Sequence, residues 1–461
     1  MDQKKYWQNF TELNESEAFK KASTDEFREE LPFEFADSFL KASTQRRDFL
    51  KYLGFSTTAA VLAASCEVPV RKSIPFVNKP EDIVPGIANY YATTYVQDGE
   101  AISVVAKVRD GRPIKIEGNT LSPITKGGTS AKVQASVLGL YDTARLRFPT
   151  IDGKEVTLAY IDQAIGAALA GLGGAPIVLL TSTVNSPTTL EAINQFLAKY
   201  PGSRHVVYDA DSYSGMLLAN EASKGKRALP SYRFDKAKVV VSLGADFLGT
   251  WLSPVEFASQ YAVGRKIDEK NPAMSRHIQF ESILSMTGCN ADERYVHRPS
   301  ETGAVAVALL GALNGQGASN ISDPKLKGGI EKAAKELSAN RGAALVVCGS
   351  NDVNVQLVVN AINDAIGASG NTIDWSVTNK TKAGVDTDIA KLVNDMNSGA
   401  VGALLVQGAN PAYTWNNAKG FVDGLKRVRV AVSFNPKNDE TTQLCKYVIP
   451  DHHYLESWGD A

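Results

Sequence analysis

Beyond Pro149 the chain alternates between short unbroken apolar runs and longer stretches whose apolar residues recur at helical spacing. The runs lie at 176–181, 206–208, 237–243, 344–348, 403–406 and 431–434, and helical patterns at 158–172, 188–200 and 355–366. A strand that is apolar at every position must be covered on both faces, which a parallel sheet flanked by helices provides. The pattern therefore predicts an α/β fold with two doubly wound units, at 150–340 and 341–461. The second unit stops just after a strand-like Tyr447-Val448-Ile449-Pro450 with no covering helix. It reads as incomplete, and the chain as the front part of a longer protein.

Residues 91–149 carry a different rhythm. A strand pattern at 101–108 is followed by Arg109-Asp110-Gly111-Arg112-Pro113, which has tight-turn chemistry, and by a return strand at 114–117. These predict a hairpin in a small β-rich domain. Residues 67–90 are punctuated by Pro69, Pro75, Pro80 and Pro85, and read as an extended linker or a segment draped over a partner.

Residues 1–66 read as an extended targeting segment. Arg46-Arg47-Asp48-Phe49-Leu50-Lys51 precedes an apolar stretch at 52–64 that ends in small residues. Paired arginines ahead of a short apolar core are what the twin-arginine export route recognises. That route carries folded chains, so the expected location is the periplasmic face of the bacterial inner membrane. Cys66 follows Leu62-Ala63-Ala64-Ser65 and is a candidate for lipidation, with simple cleavage or a retained signal as the alternatives. One lipid would add membrane affinity without making the domain span the bilayer.

Composition narrows the choices. The 461 residues suggest two or three domains. A net charge of −1 offers no basic field for nucleic acid. Cys66, Cys289, Cys348 and Cys445 are far apart, which excludes a local CxxC metal or redox motif. Outside the targeting segment no apolar run approaches the roughly 20 residues that span a bilayer. No Gly-rich phosphate loop and no GxSxG serine motif is present.

The stretch Lys107-Val108-Arg109-Asp110-Gly111-Arg112-Pro113-Ile114-Lys115-Ile116-Glu117-Gly118-Asn119 resembles the opening β domain of the molybdopterin oxidoreductase superfamily. Leu140-Tyr141-Asp142 with Arg145-Leu146-Arg147-Phe148-Pro149 continues the match. Val241-Ser242-Leu243-Gly244-Ala245-Asp246 is similar to the strand end of its first cofactor-binding domain. Gly408-Ala409-Asn410-Pro411 and the segment 448–460 are similar to parts of the next one. The family's cluster-binding cysteines are missing from 91–99 and from 127–131, and a four-iron cluster has no ligands without thiolates. Ser212, Ser214 and Cys289 are the available residues for the metal-ligand position, and none sits in a convincing context. Cys289 is read as a buried structural thiol.

A cofactor-free version with an extended signal and Ile83-Val84-Pro85-Gly86 leading into Tyr90-Tyr91 resembles the large iron–sulfur subunit of alternative complex III. The resemblance implies a structural and electron-transfer subunit of a membrane-bound quinol-oxidising respiratory complex. Residues 1–461 would be its scaffold half, with no cofactor of their own and no catalytic or metal-binding residues. Iron–sulfur clusters would belong to a C-terminal half beyond Ala461. Expected partners are membrane quinol-oxidising subunits, multihaem and monohaem cytochrome c subunits and a terminal oxidase. Gly244, Asp246, Gly408 and Asn410 stand where a doubly wound sheet binds a nucleotide moiety. They are candidates for a vestigial pocket, or simply turn and cap residues. His452-His453, with Asp451 and Glu456, points its rings to opposite faces of an extended segment and reads as loop packing. His205, His277 and His297 are isolated and read as structural. Two alternatives stay open: a molybdopterin-dependent oxidoreductase lacking the N-terminal cluster, and a periplasmic protein that binds a small ligand between its domains.

Overall fold

The computed structural model describes residues 83–461 except 85, 98 and 268–271. Arg46, Arg47, Cys66 and the rest of the targeting segment lie outside the described residues. Three antiparallel strands come first, β1 (Ala88–Gln97), β2 (Glu100–Arg109) and β3 (Arg112–Gly118), in the order β1-β2-β3. Asp110 and Gly111 both have positive φ, 49° and 76°, as a two-residue hairpin loop whose twist matches its strands requires. Alternate residues of β2, Ile102, Val104 and Ala106, face inward and meet Val133 and Val137 of helix α1 (Ala131–Leu140). The predicted hairpin is present, with β1 added to its outer side.

The α/β part opens with the short strands β4 (Thr150–Ile151) and β5 (Lys154–Glu155). Helix α2 (Leu158–Ala170), strand β6 (Ile177–Thr181), helix α3 (Pro187–Ala198) and strand β7 (Arg204–Val207) follow. The chain then departs into α4 (Ser214–Lys224), β8 (Leu229–Tyr232), β9 (Val239–Leu243), α5 (Pro254–Arg265), β10 (Arg276–Glu281), α6 (Met286–Cys289) and β11 (Glu293–Val296). It continues through α7 (Thr302–Leu313), α8 (Pro324–Ala339), β12 (Ala344–Cys348), α9 (Val353–Ala365) and β13 (Ile373–Asn379). Helix α10 (Asp386–Asn397), β14 (Ala403–Gln407), α11 (Pro411–Thr414), α12 (Ala418–Leu425), β15 (Val430–Ser433) and β16 (Tyr447–Val448) complete it.

The sheets do not follow chain order. A seven-stranded sheet runs β5-β4-β16-β15-β14-β6-β7, and a four-stranded parallel sheet runs β11-β10-β9-β12. Strands β14 and β15 pair in parallel with each other, and β14 pairs in parallel with β6, so residues 403–407 complete a sheet begun at 177–181. Strand β12 pairs with β9. The expected division at 340/341 therefore does not match the sheets. Residues from Met216 to Val385 share one hydrophobic core, and they are inserted into a domain built from the segments on either side. Pairing in a buried sheet is chosen by which edges complete each core, and that is invisible in a linear pattern.

The outer domain is doubly wound. Val178, Leu180, Leu404 and Val406 pack on one face with Ile389 and Leu392 of α10 and Phe421 of α12. The intervening Ile177, Leu179, Ala403 and Leu405 pack on the other with Ile161 of α2 and Ile193 of α3. Two helix starts are capped by side chains that precede a proline. Ser186 Oγ accepts from Thr189 N at 3.0 Å with Pro187 opening α3, and Asp323 Oδ1 accepts from Leu326 N at 2.8 Å with Pro324 opening α8.

Candidate functional site

In the seven-stranded sheet the chain goes from β6 outward to β7 on one side, and from β14 through β15 to β16 on the other. The loops leaving β6 and β14 therefore diverge, and the crevice at such a switch point is where open α/β sheets receive ligands. A cavity of about 750 Å³ lies there, within the size range of small-molecule sites. Its floor is Thr181, Ser182 and Thr183 after β6 and Gln407, Gly408 and Asn410 after β14. Asn435 and Lys437 after β15, Ser136 and Arg145 from the small β domain, and His452 and Tyr454 after β16 close it in.

Of the four pocket candidates, Gly408 and Asn410 line this cavity. Gly408 has φ of 65°, and a Cβ there would approach Ser182 Oγ to 2.8 Å, so glycine lets the two loops close on each other. Gly244 and Asp246 are not part of its lining. They lie at the corresponding point of the inserted domain, between β9 and β12. There a Cβ on Gly349 would stand 2.4 Å from Gly244 O, so the backbones after β9 and β12 approach closely. The Asp246 carboxylate accepts from Thr287 N (3.0 Å) and Thr287 Oγ1 (2.8 Å), tying the loop after β9 to α6.

Most of the named polar groups around the cavity have protein partners, although Asn185 Oδ1, which lines it, is buried without one. Gly408 N donates to Asn435 Oδ1 at 2.7 Å, and Asn435 Nδ2 donates to Ala409 O and Asp439 Oδ2 at 3.0 and 2.9 Å. Asn410 Nδ2 donates to Glu440 Oε2 at 2.7 Å, while Asn410 Oδ1 accepts from Thr441 N and Oγ1 at 3.1 and 2.7 Å. Gln407 donates to Asp451 at 3.0 Å, and Lys437 pairs with Asp142 at 2.6 Å. Arg145 binds Glu456 through both guanidinium nitrogens, at 3.0 and 2.5 Å. These hydrogen bonds hold the Glu456 carboxyl down at about 2.

His453 Nε2 lies 3.1 Å from Ser136 O, and burial pushes its pKa below the usual histidine value. His452 is exposed and its ring lies at the cavity edge. Among the described residues no group of three or more His, Cys, Asp or Glu side chains is placed to hold a metal ion. His205 lies 2.8 Å from Thr181 Oγ1, and His297 Nδ1 lies 2.8 Å from Arg298 O. Ser212 accepts from Ser214 N, and Ser214 in turn accepts from Asp386 N, at 3.1 Å each. Cys289, expected to be buried, is instead exposed, because the four-residue helix α6 that it ends lies at the surface. Asn435, Gln407 and Asn185 escaped the sequence reading as site residues. Each follows an apolar run and carries the same strand-end signal that singled out Asn410.

No family model matches the chain. The geometry is that of a doubly wound α/β protein with a ligand-sized crevice at a topological switch. The chain is 26% identical to the menaquinone reductase, molybdopterin-binding-like subunit of Nitratidesulfovibrio vulgaris, a match that covers 90% of this chain and 66% of that relative. It thus spans a little under two thirds of the relative's length. Acetylene hydratase from Pelobacter acetylenicus superposes with a TM-score of 0.59 at 14% identity, over 79% of this chain and 63% of that one. That likeness bears on fold alone and is consistent with the molybdopterin-oxidoreductase-like α/β fold expected from the sequence.

Proposed function

We propose that this chain is a subunit of a membrane-associated respiratory quinol oxidoreductase complex, and that residues 83–461 serve it as a scaffold without a cofactor of their own. The observation that carries the first half is the similarity to a menaquinone reductase subunit along 90% of the chain. What supports the second half is the self-pairing of the cavity wall. A pterin dinucleotide needs backbone and side-chain donors for its phosphates and a ligand for its metal. Here the Gly408 amide is taken by Asn435, Arg145 by Glu456 and Lys437 by Asp142, and among the described residues no cysteine lines the cavity. The residues present do not fit that cofactor.

In this reading the complex is of the alternative complex III kind, and export by the twin-arginine route places the chain on the periplasmic face. Iron–sulfur clusters in a further half of the protein pass electrons toward cytochrome c subunits or a terminal oxidase. A second reading, a molybdopterin enzyme that lost only its cluster, is favoured by one observation, the ligand-sized cavity at the switch point. Purification of the intact complex from native membranes separates the two. The scaffold reading expects co-purifying membrane and haem subunits, quinol oxidation, and iron without molybdenum or tungsten. Either of those two metals at one atom per chain would overturn it.

A further inference from the structure

The three-stranded sheet has two edges, and they are built differently. Strand β3 carries Arg112, Pro113, Lys115 and Glu117, and its pairing with β2 shifts register at Lys107/Val108. Charge, proline and irregularity are the devices by which edge strands avoid pairing with further chain. Strand β1 has none of them. Its ten residues, Ala88 to Gln97, include no charged side chain and no proline, and all ten pair with β2 without a break.

The phase of that pairing shows which backbone groups the edge leaves open. Gln97 faces Glu100 across a two-residue loop, and residues that flank such a loop bond to each other. Residues 89, 91, 93, 95 and 97 therefore bond to β2. On the β3 side Asn119 N donates to Ser103 O at 3.3 Å, which fixes the same alternation from the other direction. Tyr90, Ala92, Thr94 and Val96 point their N–H and C=O groups away from the sheet. Among the described residues none of these groups has a hydrogen-bond partner. The four residues are exposed and span about 20 Å at the rise of an extended chain.

Side chains along the edge alternate between two faces. Toward α1, Tyr91 lies opposite the core residue Ala106 and is 53% exposed. On the other face Tyr90 lies opposite Lys107, whose Nζ stands 5.7 Å from the Tyr90 ring centroid. Lys107 has no carboxylate partner among the described residues, while its neighbour Lys115 is paired with Glu117 at 3.1 Å.

We propose that β1 receives an extended segment of another subunit as a fourth strand, apolar on the face of Tyr91 and acidic beside Tyr90 and Lys107. This rests on the reading of the chain as one subunit of a complex. Main-chain bonds at Tyr90, Ala92, Thr94 and Val96 supply affinity, and the alternation of apolar and acidic side chains supplies specificity. A second copy of β1 fits less well, because it brings no acid to meet Lys107.

The test uses the intact complex from native membranes, with Tyr90 replaced by the photocrosslinker p-benzoylphenylalanine and the links mapped by peptide mass spectrometry. The expected product joins position 90 to one segment of a different polypeptide, with Asp or Glu adjacent to the link. A link to a second copy or to this chain's own residues overturns the proposal, as does no link while partner subunits co-purify. A92P removes an outward N–H and no bond to β2. It should leave the thermal midpoint of the isolated chain unchanged and lower retention of the linked subunit roughly tenfold. K107E should lower retention too, and unchanged retention in either variant overturns the proposal. T93P is the contrast, since its N–H faces β2, and it should lower the midpoint itself. Should A92P also lower the midpoint, amide exchange in the wild type decides. The Thr94 and Val96 amides must exchange more slowly in the complex than in the separated chain, and equal rates overturn the proposal. A wild-type chain that purifies without partners overturns this proposal and the proposed function together. Partners retained with the link elsewhere overturn this proposal alone.

Discussion

Glu456 and His277 show how the surroundings of one side chain set its response to pH. The Arg145 guanidinium holds the Glu456 carboxyl at about 2, below its ordinary 4.5. A carboxylate depressed on folding stabilises the fold above its unfolded value, and the contribution is lost as pH falls from 4.5 toward 2. E456Q should therefore cost about 1 kcal/mol near neutral pH, the discounted worth of a partly exposed bidentate pair, and progressively less below about pH 4. Urea unfolding at both pH values measures this. His277 is fully buried on β10, with Tyr261 Oη at 3.1 Å on one ring nitrogen and Gln279 Oε1 at 3.2 Å on the other. Burial pushes its pKa down to about 4 from 6.5. The unfolded chain takes up this proton first, so stability should fall as pH drops from 6.5 toward 4. H277Q should flatten that slope, and a series of unfolding curves across the window would show it.

Elements are held together by close approaches that only certain residues permit. Gly349 after β12 lies so near Gly244 O that an added Cβ would stand 2.4 Å away. G349A should force β9 and β12 apart at their ends and cost about 1–3 kcal/mol, read as a lower thermal midpoint. Asp209, just beyond β7, is a buried carboxylate with four donors. Thr183 N (3.1 Å), Thr183 Oγ1 (2.7 Å), Ala383 N (3.2 Å) and Gly384 N (2.9 Å) all point at it. It stitches the loop after β6 to the stretch that brings the chain back from the inserted domain. D209A would leave the Thr183 and Gly384 amides without this acceptor, while Ala383 N keeps Thr183 Oγ1, and should lower stability by roughly 3 kcal/mol in denaturant unfolding.

At the scale of the whole molecule, the insertion makes a prediction that a sequential pair of domains would not. The core from Met216 to Val385 is complete within its own segment, including the β8–β13 pair that closes it. A fragment of residues 209–386 should fold alone and melt in one cooperative transition. A fragment of 150–340 should not, because it holds β6 and β7 without β14 and β15, and β9 without β12. Circular dichroism melts of the two fragments distinguish the outcomes. The interleaving also explains why the switch-point cavity joins residues as far apart as Thr181, Asn435 and Arg145.

By itself the sequence marked the fully apolar strands, among them β6, β9, β12 and β14, and the helices α2, α3 and α9, but it left β8, β10, β11 and β13 unmarked. Apolar runs such as 177–181 and 403–406 must be buried on both faces, so local chemistry suffices for them. It also marked Gly408 and Asn410, because a polar residue after a buried strand has nowhere to lie but the sheet's carboxyl edge. Only the tertiary structure decided that β14 joins β6 while β12 joins β9. Strands of equal hydrophobicity are interchangeable until packing chooses among them. It alone separated Gly408 and Asn410, which line this cavity, from Gly244 and Asp246, which do not. It alone brought Glu456 to Arg145 across 311 residues, since the partner of a charge depends on geometry that no local pattern encodes.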